Sequence, residues 1–436
     1  MADKHTNYRY NTGAKRVPWV SVGENYNAED LVEVVKFLMQ GEGKEYDEII
    51  KNISKEVEKL DEISTPPGRL SLASEVSAVE EESNKFLGVD NSTLVTNCTA
   101  GFEIAYKYAN LKPGDEVIVP AITFVSTMSY ALSVGAKIVF ADIDPITLNM
   151  DPRDVAKKIT PKTKMIVPVH IGGYPVDIDP IMELAKKHNI VVLEDAAHAF
   201  GAKYKGRMVG TTGHFASFSF HEVKNITAFG EGGIVTTSVP EFKEYMKLSR
   251  FVGADFSKVI DKWCYDVVSI PGKTEPFVAV NYAPTEIQAL GLRMQMKRIK
   301  DIIAARKAAV AYLNSRFAEC DALIPQSLGN QDYEPTFHLY QLQIVPEKAG
   351  GDVQTFKKKL EEKSVTTIPH YAPLYHFSIM KDMGYDKDEI AKTCPVAEDL
   401  FANKFTHLPL YGLSQEQLDY MADMVLEVID EMKQGK

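Results

Sequence analysis

The stretch KMIVPVH (164–170), DPIMELAKKHN (179–189) and IVVLED (190–195) decides the fold class. Two short apolar runs rich in β-branched residues flank a helix-like segment. The alternation continues in both directions. EVIVP (116–120) and KIVFADID (137–144) lie upstream, preceded by the helix-like AGFEIAYKYAN (100–110). FASFSF (215–220) and GIVTTS (233–238) lie downstream. Several runs are apolar throughout, as strands covered on both faces are. The expectation is an α/β protein, a three-layer fold with a mostly parallel central sheet and helices on each side. In such sheets ligands bind beyond the carboxyl ends of the strands. The polar residues at those ends are therefore the candidates for chemistry.

Working outward, residues 1–27 read as an irregular arm, and AEDLVEVVKFLMQ reads as a helix stopped by Gly41-Glu42-Gly43. Tyr46, Ile50, Ile53, Val57 and Leu60 then recur in steps of four and three, one stripe of a second helix. Thr65-Pro66-Pro67-Gly68 ends it. Such a helix either packs on the body or shapes a pocket mouth or subunit contact. After a mixed segment at 241–284, one long helical stretch is expected over 285–318. HLYQLQIVP and SVTTIPHYA follow as strands, with FKKKLEEK a helix between them and a last helix over 415–433. The division expected is an arm with a helical insert (1–70), a large domain (71–284), and a connecting helix with a smaller C-terminal α+β domain (285–436).

Composition excludes several classes. Lys and Arg number 49 against 60 Asp and Glu in 436 residues, a net charge of −11. With no dense basic block, nucleic-acid and anionic-membrane partners are not expected. Cys98, Cys264, Cys320 and Cys394 are far apart and form no CxxC pair, which disfavours zinc and iron–sulfur ligation. So few cysteines fit a reducing compartment, and a cytoplasmic location is expected. The polar N-terminus has no apolar signal-peptide core, and no apolar run reaches the ~18–20 residues of a membrane span. His370 and His376 flank YAPLY without an HExxH motif or carboxylate cluster, so no metal is expected.

Five features remain. Asp195 ends the run IVVLED and either faces the crevice or caps the next helix. Lys224, in SFSFHEVKN, lies just past another strand, placed either as a nucleophile toward a carbonyl or as a solvated surface lysine. Thr96–Gly101 joins a strand to a helix with small residues, the kind of turn whose N–H groups approach a phosphate. Phe124, in AITFVS, either stacks on a planar ring or packs in the core, and Ser219 either donates to phosphate or bonds backbone. Together these are the parts pyridoxal phosphate (PLP) requires. A lysine forms the Schiff base, and a carboxylate pairs with the protonated pyridine nitrogen to keep the ring an electron sink.

The same text resembles the DegT/StrS family of sugar aminotransferases, of the fold-type I PLP class. The matching segments are TNCTAGFE, PGDEVIVPAITFVST, PVHIGGYPVDID, VVLEDAAHAFGAKYKG and SFSFHEVKNITAFGEGGIVTT, with weaker matches in VNYAPTEIQALGLRMQMKRI, HLYQLQI, PHYAPLYH and HLPLYGLS. The resemblance covers roughly residues 15–40 and 70–433. The resemblance implies that Lys224 and Asp195 are catalytic, with Lys224 carrying the cofactor and moving the proton. It implies that His198 lies near the cofactor's phenolic oxygen and Phe124 on the ring face. Thr99, Ala100 and Ser219 hold the phosphate, and Asn281 reaches it from the partner subunit of a homodimer. The implied substrates are an amino-acid donor, L-glutamate, and a keto-sugar, nucleotide-linked. A cyclitol ketone or a free keto-sugar acid is the alternative acceptor, and a non-catalytic regulatory protein a more distant one. Lys224 stands where dehydratase relatives carry histidine, which favours transamination. Two departures matter: Cys98 replaces a family Gly or Ser, and Asn281-Tyr282-Ala283 replaces NYR. The second removes a carboxylate-binding arginine, for which Arg250 or a lysine is the substitute expected. The insert at 44–68 is atypical of the family.

Overall fold

The computed structural model describes residues 26–64, 69–260, 264–368 and 370–435. The chain divides into one unit up to Ala73 and a second from Ser74 onward. In the first, α1 (Ala28–Leu38) and α2 (Lys44–Ile63) pair as a helical hairpin. Asn27 opens α1 with a capping box: its side chain accepts the Asp30 N–H, and the Asp30 carboxylate accepts the Asn27 N–H. Gly41 lets the turn close, because a Cβ there would lie 2.5 Å from the Tyr46 ring. The Tyr46 hydroxyl donates to the Met39 carbonyl at 2.9 Å. Along the expected stripe Tyr46, Ile50, Ile53 and Val57 are half-buried and Leu60 is exposed. The arm as far as residue 25 and the stop at Thr65–Gly68 lie outside the described residues.

The second unit opens with α3 (Ser74–Leu87), which leads into a seven-stranded sheet. Its strands are β1 (Ser92–Val95), β2 (Glu116–Pro120), β3 (Lys137–Ala141), β4 (Thr163–Ile166), β5 (Val191–Asp195), β6 (Phe215–Ser219) and β7 (Gly233–Thr237). In space the order is β1-β7-β6-β5-β4-β2-β3. The pairs from β6 through to β3 are parallel; β6–β7 and β7–β1 are antiparallel. Three helices matter for the layers: α4 (Cys98–Tyr108), α5 (Ser126–Ser133) and α6 (Ile178–His188). Val117 and Val119 of β2 join a core with Phe102 and Ala105 of α4 and Met128 and Leu132 of α5. Ile118, between them, joins a separate core with Ile178, Ile181 and Ala185 of α6. Successive strand residues face opposite layers, and both layers are apolar. That is why these strands read as unbroken apolar runs.

Downstream, β8 (Ala254–Ile260) and β9 (Cys264–Val267) form an antiparallel hairpin that the sequence reading left as mixed. The single helix expected over 285–318 is two, α7 (Glu286–Met296) and α8 (Ile299–Phe317). The break coincides with a tertiary bond, the Thr227 N–H donating to the Gln295 side chain at 3.0 Å. A second, antiparallel sheet has the order β10 (Leu323–Ile324), β11 (Tyr340–Ile344), β12 (Phe405–Leu408). It packs with α9 (Val353–Glu362) and α10 (Gln415–Lys433). SVTTIPHYA is not a strand. It makes one bridge, Ile368 to His407, and the proline that follows has no N–H to extend a ladder. Among the described residues no helix is long and apolar enough to cross a membrane.

Candidate active site

Beyond the carboxyl ends of the parallel strands lies a cavity of about 720 Å³. Thr99, Phe124, Asp195, His198, Ser219 and Lys224 all line it. Asp195 is the last residue of β5 and is 4% exposed. One carboxylate oxygen accepts the Thr127 hydroxyl at 2.8 Å and the other accepts the Ala197 N–H at 3.1 Å. Burial raises its pKa above the ordinary carboxylate value; the Thr127 and Ala197 donors and the Lys224 charge oppose that rise. Lys224 follows β6, in a turn where its N–H donates to the His221 carbonyl at 2.9 Å. Burial lowers its pKa, against the pull of Asp195, Cys98 and Glu231. Among the described residues its ammonium makes no hydrogen bond or ion pair. A desolvated lysine without a partner beside a buried carboxylate has no structural purpose of its own.

The turn expected to hold a phosphate is the start of α4. Asn97 caps the helix, its side chain accepting the Ala100 N–H at 2.9 Å. That bond occupies the Ala100 donor, and Ala100 is buried outside the cavity wall, so the turn presents Thr99 rather than Ala100. The turn stays close to the sheet because β7 begins with Gly233. A Cβ there would fall 2.5 Å from the Asn97 carbonyl carbon and 2.7 Å from the Cys98 nitrogen. Both are backbone atoms, so no side-chain rotation relieves the overlap. Gly233→Ala is expected to destabilise the protein by about 1–3 kcal/mol in chemical denaturation and to weaken cofactor binding. An unchanged midpoint would show that the turn can move freely.

His198 is neutral: burial, reinforced by Lys224 and three neighbouring histidines, holds its pKa well below the ordinary range. Its Nδ1 accepts the Gly172 N–H at 3.2 Å, which places the ring proton on Nε2. Nε2 faces the Tyr371 hydroxyl at 3.3 Å, and the ring stacks on His338 with centroids 4.3 Å apart. The face of Phe124 is open, at 58% exposure. The Ser219 hydroxyl accepts the His221 N–H at 3.3 Å. Asn281 is not in the cavity wall. It is exposed, its side chain accepting the Ala283 N–H at 2.9 Å.

Arg250 is not available as a carboxylate binder. It is buried against the Glu80 carboxylate, and its Nη1 also donates to the Leu94 carbonyl at 3.0 Å. The residues the sequence reading passed over are Thr127, Tyr371, His338 and Arg306, of which the last three line the cavity. Tyr371 and His338 stand inside PHYAPLYH and HLYQLQI, segments whose resemblance was the only signal. Burial brings the Arg306 guanidinium down to about 10, still cationic at neutral pH. A separate cleft of similar volume is lined by Asp144, Asp151, Tyr174 and Tyr333, and it has no lysine at a strand end.

The donor set fits pyridoxal phosphate. An unpaired lysine, a buried carboxylate, a helix start and an exposed aromatic face line one cavity. The fold and cavity thus define a PLP enzyme of fold-type I. The profile of the DegT/DnrJ/EryC1/StrS aminotransferase family matches residues 49–426. The matched span begins within α2 and does not take in 15–40. The spore coat polysaccharide biosynthesis protein SpsC of Bacillus subtilis is 34% identical over 83% of this chain and 91% of its own length. GDP-perosamine synthase of Caulobacter vibrioides is 32% identical over 71% of this chain and 80% of its own. Among solved structures, Spr1654 from Streptococcus pneumoniae in its PMP form superposes with a TM-score of 0.73 at 27% identity, covering 84% of this chain and 94% of that one. A PLP form of the same protein gives 0.72. The chain belongs to the DegT/DnrJ/EryC1/StrS aminotransferase family. It is a PLP-dependent transaminase, and its substrates are a small-molecule sugar and an amino donor.

Proposed function

We propose that the enzyme moves an amino group from L-glutamate to a nucleotide-linked keto-sugar, in amino-sugar biosynthesis in the cytoplasm. The observation that carries this reading is the unpaired, desolvated Lys224 beside buried Asp195. Its relatives' names, a GDP-perosamine synthase and a polysaccharide biosynthesis protein, support the choice of acceptor. When bound, pyridoxal phosphate supplies the electron sink for the charge that develops at the donor's Cα. Lys224 holds the cofactor, and its Nζ takes the Cα proton; a lowered pKa makes the neutral amine accessible for both tasks. Asp195 holds the pyridine nitrogen in its protonated form. His198, whose Nε2 faces the Tyr371 hydroxyl, would hold the phenolic oxygen, and Phe124 would cover the ring face. Thr99, Ser219 and the start of α4 hold the phosphate. The exposed Asn281 reaches the phosphate of a second subunit, so the working unit is a homodimer with two sites.

The test is the visible spectrum of the purified protein before and after L-glutamate. A yellow protein that loses its colour on adding glutamate is the expected result. Colour unmoved by glutamate would put the donor assignment aside. A colourless protein that takes up no added PLP would overturn the assignment of Lys224 and Asp195.

A further inference from the structure

A transaminase of this kind must hold an amino acid's carboxylate, and the wall of the cavity restricts what can do so. Its lining residues include one lysine and one arginine, Lys224 and Arg306. Of the histidines on the wall, His198, His338 and His370 are pushed toward the neutral form by burial, and His221 faces the Glu231 carboxylate at 3.8 Å. Lys224 is committed to the cofactor. The alternative arginine, Arg250, is consumed by Glu80.

Arg306 is built differently from the arginines around it. Arg250, Arg293 and Arg316 each carry acidic partners. Arg306 is 4% exposed and, among the described residues, has none. Its Nη1 donates to the carbonyls of Phe337 at 3.3 Å and His338 at 3.1 Å. Those two bonds fix the guanidinium plane. Nε is buried with no partner, and Nη2 makes no hydrogen bond among the described residues. The Tyr411 ring lies 4.7 Å from the guanidinium while being itself 72% exposed. A buried Nε without a partner is costly unless an anion fills it, and Nη2 beside it is open to share that anion. The Nε–Nη2 edge is the side-on fork that matches a planar carboxylate with two parallel hydrogen bonds.

We propose that Arg306 grips a carboxylate of the amino donor through its Nε–Nη2 edge, taking the place of the arginine lost at Ala283. The proposal rests on the donor half of the function proposed above and names the residue that reads the donor. The cofactor's phosphate is assigned to Thr99 and Ser219 above, so the acceptor's diphosphate is the competing oxyanion, and the test separates it from the donor. The probes are glutarate, which carries the carboxylates but no amine and cannot react, and a nucleoside diphosphate. Each is titrated calorimetrically into the PLP-loaded native protein, Arg306→Gln and Arg306→Lys. Arg306→Gln is expected to weaken glutarate about 10–100-fold and to raise the half-saturating L-glutamate concentration of the first half-reaction to the same extent. Its effect on the limiting rate is expected to be much smaller, and nucleoside diphosphate binding is expected to hold. Arg306→Lys recovers part of the loss, because a point charge remains without the fork. It also keeps a donor for the Phe337 and His338 carbonyls, and it carries the test if the Gln variant fails to bind PLP. Glutarate and glutamate responses within twofold of native in the Lys and Gln variants would overturn the proposal. Weakened nucleoside diphosphate binding with intact glutarate binding would also overturn it. A native protein that responds to no amino acid at all would instead overturn the transaminase reading of the donor.

Discussion

Lys224→Ala is expected to lower turnover by about 10⁴-fold or more, since in the proposed function one side chain supplies both the covalent attachment and the proton carrier. Lys224→Arg is expected to rescue nothing. A guanidinium stays protonated, so it can neither attack a carbonyl nor accept the Cα proton. The structure says why the loss falls on chemistry and not on the fold. The Lys224 ammonium has no hydrogen bond or ion pair among the described residues, and burial lowers its pKa. Removing a desolvated, unpartnered charge relieves a cost. The cofactor-free alanine variant is therefore expected to melt at or above the native temperature while being inactive and colourless. Steady-state turnover, the visible spectrum and thermal denaturation check the three parts. Turnover within about 100-fold of native by either variant would sink the role of Lys224. A large drop in melting temperature would mean that the lysine supports the fold.

What the sequence disclosed, and what it hid, follows from where each residue gets its neighbours. β2, β4 and β5 were legible because both faces of the sheet are covered, so nearly every position is apolar. Asp195, Lys224, Thr99 and Phe124 were legible because each lies at or just after the end of a strand, and strand ends in a parallel sheet share one rim. Arg306, His338 and Tyr371 come from beyond residue 300 and reach that rim only through the packing of the second sheet and α8. No local spacing encodes that. The expectation for Arg250 failed for the same reason. Its partner, Glu80, is 170 residues away in the chain. Ala100 illustrates a finer limit: the turn was recognisable, but which of its N–H groups the Asn97 cap occupies depends on the helix start itself.

Asp195→Asn separates the two roles open to that residue, a helix-capping carboxylate or the partner of the pyridine nitrogen. As the nitrogen's partner, its charge is what sustains the electron sink, and the amide is expected to cost about 10²–10³-fold in turnover. Stability is expected to move the other way. Burial raises the Asp195 pKa above its unfolded value of 3.8. Between those two values the folded chain binds more protons than the unfolded one, so stability falls as the pH climbs through that interval. Above it the cofactor-free protein carries the full cost of a buried charge. The amide removes that cost and still receives the Thr127 hydroxyl or the Ala197 N–H on its carbonyl oxygen. The cofactor-free variant is thus expected to melt at or above the native temperature at pH 7. The difference shrinks as the pH falls from 7 toward 4, because the native carboxyl, its pKa raised by burial, is increasingly protonated on the way down. Paired melting curves at the two pH values, beside a turnover assay, decide the matter. A variant that is less stable at pH 7, with turnover little changed, would mean that the contact to Ala197 is the reason for the acid. A stable variant with poor turnover means that the strand end holds a charge that the fold would be better off without, kept for the pyridine nitrogen.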